Sequence, residues 1–335
     1  MRLVAFFSLF FVLFSCQDDD INNEQFSESQ EVAIENYLED QQIDSASTIS
    51  TEDGNIYYYP VEYSSSSDPS EVGDNSVVSF RYQIAALDGP IFSSLANSPT
   101  ILAKLNSAAL VPAGLDIALR ESGQKTGDIY TYIIPSILAY RGFEVDGILP
   151  ANSVVILTIE LLDVRNERQV LEDQLIQINQ FVTSAGLDDQ SRYPIGEVER
   201  YPATGIIKKT LAAPTDNAMP AAGDIATITY TLTYSDSTFI ENVTNDDPFD
   251  FVVGGSDTGT GAEVIPGLDF VVSEMQTGER AIVVMPSNQA YNESAQVVPV
   301  IFKDPLVTEN VIPRYAAKID PYRILVFDLQ LRGIN

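Results

Sequence analysis

Apolar residues recur with two periods along this chain. Ile34, Tyr37 and Leu38 stand at i, i+3 and i+4. Leu171, Leu175, Ile178 and Val182 stand at i, i+4, i+7 and i+11, with Gly186 as a stop. Each set predicts a helix with one apolar stripe. Elsewhere the period is two. Val78, Phe80, Tyr82 and Ile84 share one face of a predicted strand, and Ala226, Ile228, Tyr230 and Leu232 share the face of another. Short apolar pieces, Ile56-Tyr57-Tyr58-Tyr59 and Gly205-Ile206-Ile207, follow the two helices. Apolar strands at Val154 to Leu162 and Ile324 to Leu331 close the two halves.

These signals come in the same order twice, the mark of an internal repeat. Gly73-Asp74 corresponds to Gly223-Asp224, Gly114-Leu115 to Gly267-Leu268, Gly127 to Gly278, Pro135 to Pro286 and Tyr140 to Tyr291. The offset is 150 between Gly73 and Gly223, 151 between Tyr140 and Tyr291, and 170 between Val154 and Ile324. The second copy therefore holds an insertion of about 19 residues between Asn292 and Lys318. It contains Pro299, Pro305 and Pro313 and reads as an ordered loop or flap. Many strands, one short helix per copy and turn-rich connections imply an antiparallel α+β unit. The expected division is 1–15 as a signal segment, 16–29 as an acidic tether, 30–165 as a first unit and 166–335 as a second. Each unit has a leading helix, and the second has a long loop at 292–318.

Composition narrows the chemistry. Against 18 basic side chains stand 48 acidic ones, a net charge of −30 in 335 residues. That charge opposes a phosphate polymer, so no nucleic-acid partner is expected. There is no His, no Trp and a single Cys. Imidazole catalysis, His-ligated metal and Cys-rich metal sites are thereby excluded, and no cofactor or metal is expected. Carboxylate chemistry, hydroxyl chemistry, or catalysis without proton transfer remain.

The start of the chain carries an address. Arg2 precedes a run from Leu3 to Phe14 broken only by Ser8. The run is too short to span a bilayer as a stable helix and fits the apolar part of a secretory signal. Leu13-Phe14-Ser15-Cys16 resembles a bacterial lipobox, which implies cleavage before Cys16 and a lipid anchor on its sulfur. Gln17-Asp18-Asp19-Asp20 then resembles surface-export signals of Bacteroidota lipoproteins; a plain solvated tether is the other reading. The expected place is the outer membrane, on the cell-surface or the periplasmic face.

Both units resemble FKBP-type peptidyl-prolyl isomerases. The first shows Tyr82, Asp88-Gly89, Phe92, Leu110-Val111, Gly114-Leu115, Gly127, Ile134-Pro135, Ala139-Tyr140, Ile148-Leu149-Pro150 and the strand Val154 to Leu162. The second shows Tyr230, Phe239, Phe249, Val264-Ile265-Pro266-Gly267-Leu268, Gly278-Glu279, Met285-Pro286, Ala290-Tyr291 and Leu325-Val326-Phe327. The resemblance covers most of residues 30–335. With the lipobox it extends to FKBP-like lipoproteins of the Bacteroidota linked to gliding and secretion.

The resemblance implies a sheet wrapped around a short helix, with an apolar cleft between them that takes proline-containing polypeptide segments. In the second unit the implied lining is Tyr230, Phe239, Phe249, Val264, Ile265, Leu268, Tyr291 and Phe327. In the first, weaker cleft it is Tyr82, Phe92, Leu110, Val111, Leu115, Tyr140, Leu149 and Leu157. The Ile265 (or Val111) N–H and the Tyr291 (or Tyr140) hydroxyl would hold carbonyls of the bound peptide. The acid that follows the Phe in the family is Ser93 in the first unit; in the second it is Ile240, with Glu241 one place on. The functional expectation is a prolyl isomerase or chaperone for exported polypeptides, held to membrane lipid through Cys16. The alternatives are a non-catalytic binding module and an interaction subunit of an outer-membrane secretion or motility complex.

Overall fold

The computed structural model describes residues 18–87, 89–255, 264–292, 294–312 and 318–335. The signal segment, Cys16 and most of the glycine-rich stretch 254–261 lie outside them.

In chain order the first half forms α1 (Asp18–Asp40), β1 (Ser47–Thr51), β2 (Gly54–Glu62), β3 (Val77–Ala86), β4 (Ile91–Ser93), β5 (Ile101–Lys104), β6 (Leu110–Val111), α2 (Ala113–Glu121), β7 (Ile129–Ile134) and β8 (Val155–Arg165). The second half forms α3 (Glu167–Ser184), β9 (Val198–Tyr201), β10 (Ile206–Ala212), β11 (Ile225–Tyr234), β12 (Phe239–Val243), β13 (Phe249–Val252), α4 (Pro266–Ser273), β14 (Arg280–Met285), β15 (Gln296–Val297), α5 (Lys303–Thr308) and β16 (Leu325–Ile334). Helix α1 begins at Asp18, so the stretch read as an acidic tether over 16–29 is helical from that residue on. No helix among the described residues is long and apolar enough to cross a membrane.

Two seven-stranded sheets result, with orders β1-β2-β7-β8-β3-β4 and β9-β10-β14-β16-β11-β12. β5 adds to β3, and β13 to β11. All of these pairings are antiparallel. The fold class is thus α+β, one sheet pattern built twice. The strands form because one face alternates into a core. β3 buries Val78, Phe80, Tyr82 and Ile84 against Leu115, Ala118 and Leu119 of α2. β11 buries Ala226, Ile228 and Leu232 against Leu268, Val271 and Val272 of α4.

The repeat extends to polar detail. Helix α3 starts on a capping box, with Gln169 N donating to Asn166 Oδ1 (3.0 Å) and Asn166 N donating to Gln169 Oε1 (2.9 Å). Its buried stripe is Val170, Gln174, Ile178 and Val182. Buried Gln174 accepts from Ser287 N (2.9 Å) and donates to Tyr322 O (2.8 Å). Gln30 of α1 does the same in the first unit, accepting from Ser136 N (3.0 Å) and donating to Asn152 O (2.9 Å). Each glutamine ties its leading helix to the turn after β7 or β14. Gly127 and Gly278 have φ of +86° and +87°, and their N–H groups donate to Leu161 O (2.7 Å) and Leu331 O (2.8 Å). Only glycine takes that conformation without strain.

The insertion reads from sequence as an ordered loop or flap whose target is left open. It leaves the second unit after Ser294 and docks on the first. β15 pairs in parallel with β6, Gln296 opposite Leu110 and Val297 opposite Val111. The segment returns through α5 to Ile319, which is buried in the second core. Its base is closed by the Ser294 hydroxyl donating to Ile319 O (2.9 Å) and by Tyr322 N donating to Asn292 O (2.7 Å).

Candidate active site

The residues expected to line the second cleft come from β11, β12, β13, α4, the turn after β14, and β16. α4 starts directly after Ile265, with Pro266 in its first turn, where the missing N–H is no loss. Gly267 lets that turn approach the chain after β14: a Cβ there would lie 2.8 Å from both Gln289 O and Met285 Sδ. Leu268 is buried as the floor, Phe327 and Val264 as walls, and Tyr230 and Phe249 pack half-buried on the same core with Tyr291. The Tyr230 ring meets Phe327 edge-on at 5.3 Å.

The β11–β12 register corrects one predicted wall. A bulge lets Leu232 face Glu241 and Thr233 face Phe239. Phe239 is therefore 63% exposed, and Ile240 packs against the core in its stead. The first unit has the same bulge, with Ile84 opposite Ser93 and Ala85 opposite Ile91. The counterpart of Phe92 is thus Ile240, and that of Phe239 is Ile91, itself 60% exposed. The one-residue shift also supplies the acid. Glu241 occupies the position of Ser93, and the Tyr230 hydroxyl donates to Glu241 Oε1 (2.7 Å). Lys318 Nζ holds the other oxygen at 2.9 Å.

Two further residues follow from register. Phe249 lies opposite Ile228 and Ile101 opposite Phe80, so the first unit's counterpart of Phe249 is Ile101. Leu149 and Ile319 both lie just upstream of the last strand and are buried in their cores. The insertion had displaced Ile319 from any simple alignment. The alternation of β5, Ile101 and Ala103 buried, was the signal that could have found the first.

The electrostatics of the second cleft follow from this placement. Burial pushes the Tyr230 hydroxyl well above its ordinary range, and its bond to the Glu241 carboxylate pushes it further. Burial also raises Glu241, but the bonds from Lys318 and Tyr230 outweigh that and leave its carboxyl below the usual value. The site therefore offers a protonated phenol, an anion neutralised by its partners, and apolar walls. It can bind an apolar planar group and orient a carbonyl.

The first cleft has the same parts and is filled. Tyr82, Leu110, Leu115, Tyr140, Leu149 and Leu157 are buried, with Phe92 and Val111 partly so. Val297, Val298 and Phe302 of the insertion belong to the same core and are fully buried, and Pro299 is buried between them. Val298 N donates to Val111 O (2.8 Å), and Gln296 N to Ala109 O (2.7 Å). Val300 N donates to the Tyr82 hydroxyl at 3.1 Å. The Phe302 ring meets Tyr140 edge-on at 5.2 Å and Phe143 at 5.6 Å.

Among solved structures, the three FKBP domains of wheat FKBP73 align over 84% of this chain and 94% of theirs, at 18% identity and a TM-score of 0.31. A peptidyl-prolyl cis-trans isomerase from Pseudomonas syringae pv. tomato aligns over 51% of this chain and 97% of its own, at 23% identity and a TM-score of 0.34. No curated protein matches the chain. The family model described as FKBP-type peptidyl-prolyl cis-trans isomerase matches residues 216–332, from the turn before β11 into β16. Residues 216–332, within the second unit, are thus similar to the FKBP-type peptidyl-prolyl cis-trans isomerase family, and that match spans about a third of the chain.

Proposed function

We propose that the second cleft speeds cis-trans exchange of X–Pro bonds in exported polypeptides, and that the chain is anchored through Cys16 in the outer membrane. Exchange is slow because rotation breaks amide resonance, a barrier of ~18–20 kcal/mol. The twisted amide has lost the charge-separated resonance form. An apolar, water-poor cleft therefore binds it better than the planar amide, and that difference is catalysis. The walls Ile240, Phe249 and Phe327 would seat the proline ring over Leu268. The Tyr291 hydroxyl and the Ile265 N–H would hold the flanking carbonyls. No imidazole, thiol or metal is required.

The observation that carries this reading is the contrast between matched tyrosines. Tyr82 and Tyr140 are buried under the inserted segment, whereas Tyr230 and Tyr291 are only half-buried. A client can reach the second pair. The test is exchange of a tetrapeptide with a central X–Pro bond, with the lipid-free mature chain added. The proposal expects the exchange rate to rise with protein concentration; an unchanged rate overturns it. A second reading, an interaction subunit without turnover, is favoured by the filled first cleft and by Ile240 in an aromatic position.

A further inference from the structure

The first cleft has an occupant made by the same chain. Residues 296–298 run alongside β6 and add backbone hydrogen bonds to it, residues 300–302 turn into a short 3-10 helix, and Val297, Val298, Pro299 and Phe302 are buried in the hollow. This combines strand addition, which fixes direction and register, with pockets for particular side chains. The occupant comes from an insertion with no counterpart in the first unit. Ten residues separate Arg141 from Asn152 in the first unit and twenty-nine separate Asn292 from Tyr322 in the second, yet both loops close with the same backbone bond, 2.7 Å in each.

The fit is incomplete in two respects. The Tyr140 hydroxyl is buried and finds no hydrogen-bond partner among the described residues. A cavity of about 1080 Å³ remains beside the segment, between Ile117, Tyr140 and Phe143 on one side and Leu306 and Val311 on the other. A buried hydroxyl without a partner is costly, and a ligand that offers it a carbonyl gains what the resident segment lacks.

We propose that the first cleft is a peptide site held by the chain's own residues 296–302, and that an extended apolar polypeptide segment with a proline and an aromatic anchor competes for it. The tether puts the resident segment at an effective concentration in the millimolar range. A free peptide that binds the empty cleft at micromolar levels is then weakened by about a hundredfold or more. This proposal does not depend on turnover in the second cleft.

The experiment uses a fluorescent synthetic peptide spanning residues 294–303 and reads its anisotropy. It is added to the mature chain and to a variant with residues 296–316 replaced by four glycines, a span the Ser294–Ile319 contact allows. The variant should bind at least a hundredfold more tightly than the intact chain. Val111→Asp placed in the variant should abolish the gain, which assigns it to the first cleft. Equal binding by intact chain and folded variant, or a gain that survives Val111→Asp, overturns the proposal. Should the variant fail to fold by circular dichroism, Phe302→Ala in the intact chain decides. Tighter binding than the unsubstituted chain supports the proposal, and unchanged binding overturns it.

Discussion

Glu241 shows how far one side chain can be read from sequence. Its presence one place beyond the expected acid was legible, but its role was not. Alternation assigns faces only while the strand stays regular, and the bulge between Leu232 and Thr233 moves Glu241 beside Tyr230 and turns Phe239 out to solvent. The pair has a pH signature. The Glu241 carboxyl is lowered in the folded state, so its contribution is complete above the unfolded value, ~4.3, and is lost as pH falls through the folded one. Glu241→Gln should remove that part of the acid sensitivity and weaken the hold on Tyr230. Thermal melts at pH 7 and near pH 3.5 check it. The substituted chain should lose less stability between the two pH values than the unsubstituted chain, and an equal loss would refute the assignment.

The leading helices were legible from their apolar stripes, but their most telling residue is polar. Gln174 sits in the stripe of α3 between Val170 and Ile178, where a hydropathy pattern has no reason to place a buried amide. Its worth comes from distant backbone: it accepts from Ser287 N and donates to Tyr322 O, and without it the buried Ser287 loses that bond. Gln174→Ala should therefore cost ~1–3 kcal/mol, the usual penalty for a buried group left unpaired. Gln174→Leu should cost at least as much despite its greater hydrophobicity. Urea titrations of both variants measure this, and a stabilising Gln174→Leu would show that the hydrogen bonds do not matter. Gln30, with the same bonds to Ser136 N and Asn152 O, should respond in the same direction.

For the molecule as a whole, the duplication and the length of the insertion could be read from matched glycines, prolines and tyrosines. The destination of the insertion could not. Its target, β6, is two residues long, and the pairing spans nearly two hundred positions of sequence with no periodicity to announce it. The docked segment joins the two halves into shared packing. Phe302 lies in the first core, and Lys303 Nζ bonds to Asp320 at 2.6 Å near the base of the insertion. Truncating a buried aromatic costs ~3–5 kcal/mol. Phe302→Ala should lower the melting temperature of the first unit's transition and expose Tyr140 to solvent. Calorimetry with tyrosine fluorescence checks this; an unchanged transition would show that the segment is not docked in solution.

The most direct trial of the isomerase reading is magnetisation-exchange NMR on an X–Pro peptide, with the chain and its Tyr291→Ala, Phe327→Ala double substitution compared at equal concentration. The unsubstituted chain should raise the exchange rate well above the uncatalysed tens-to-hundreds-of-seconds timescale, and the double substitution should remove at least 90% of the gain, about 1.4 kcal/mol or more in the barrier. No acceleration by the unsubstituted chain, or acceleration that persists in the folded double variant, would contradict it.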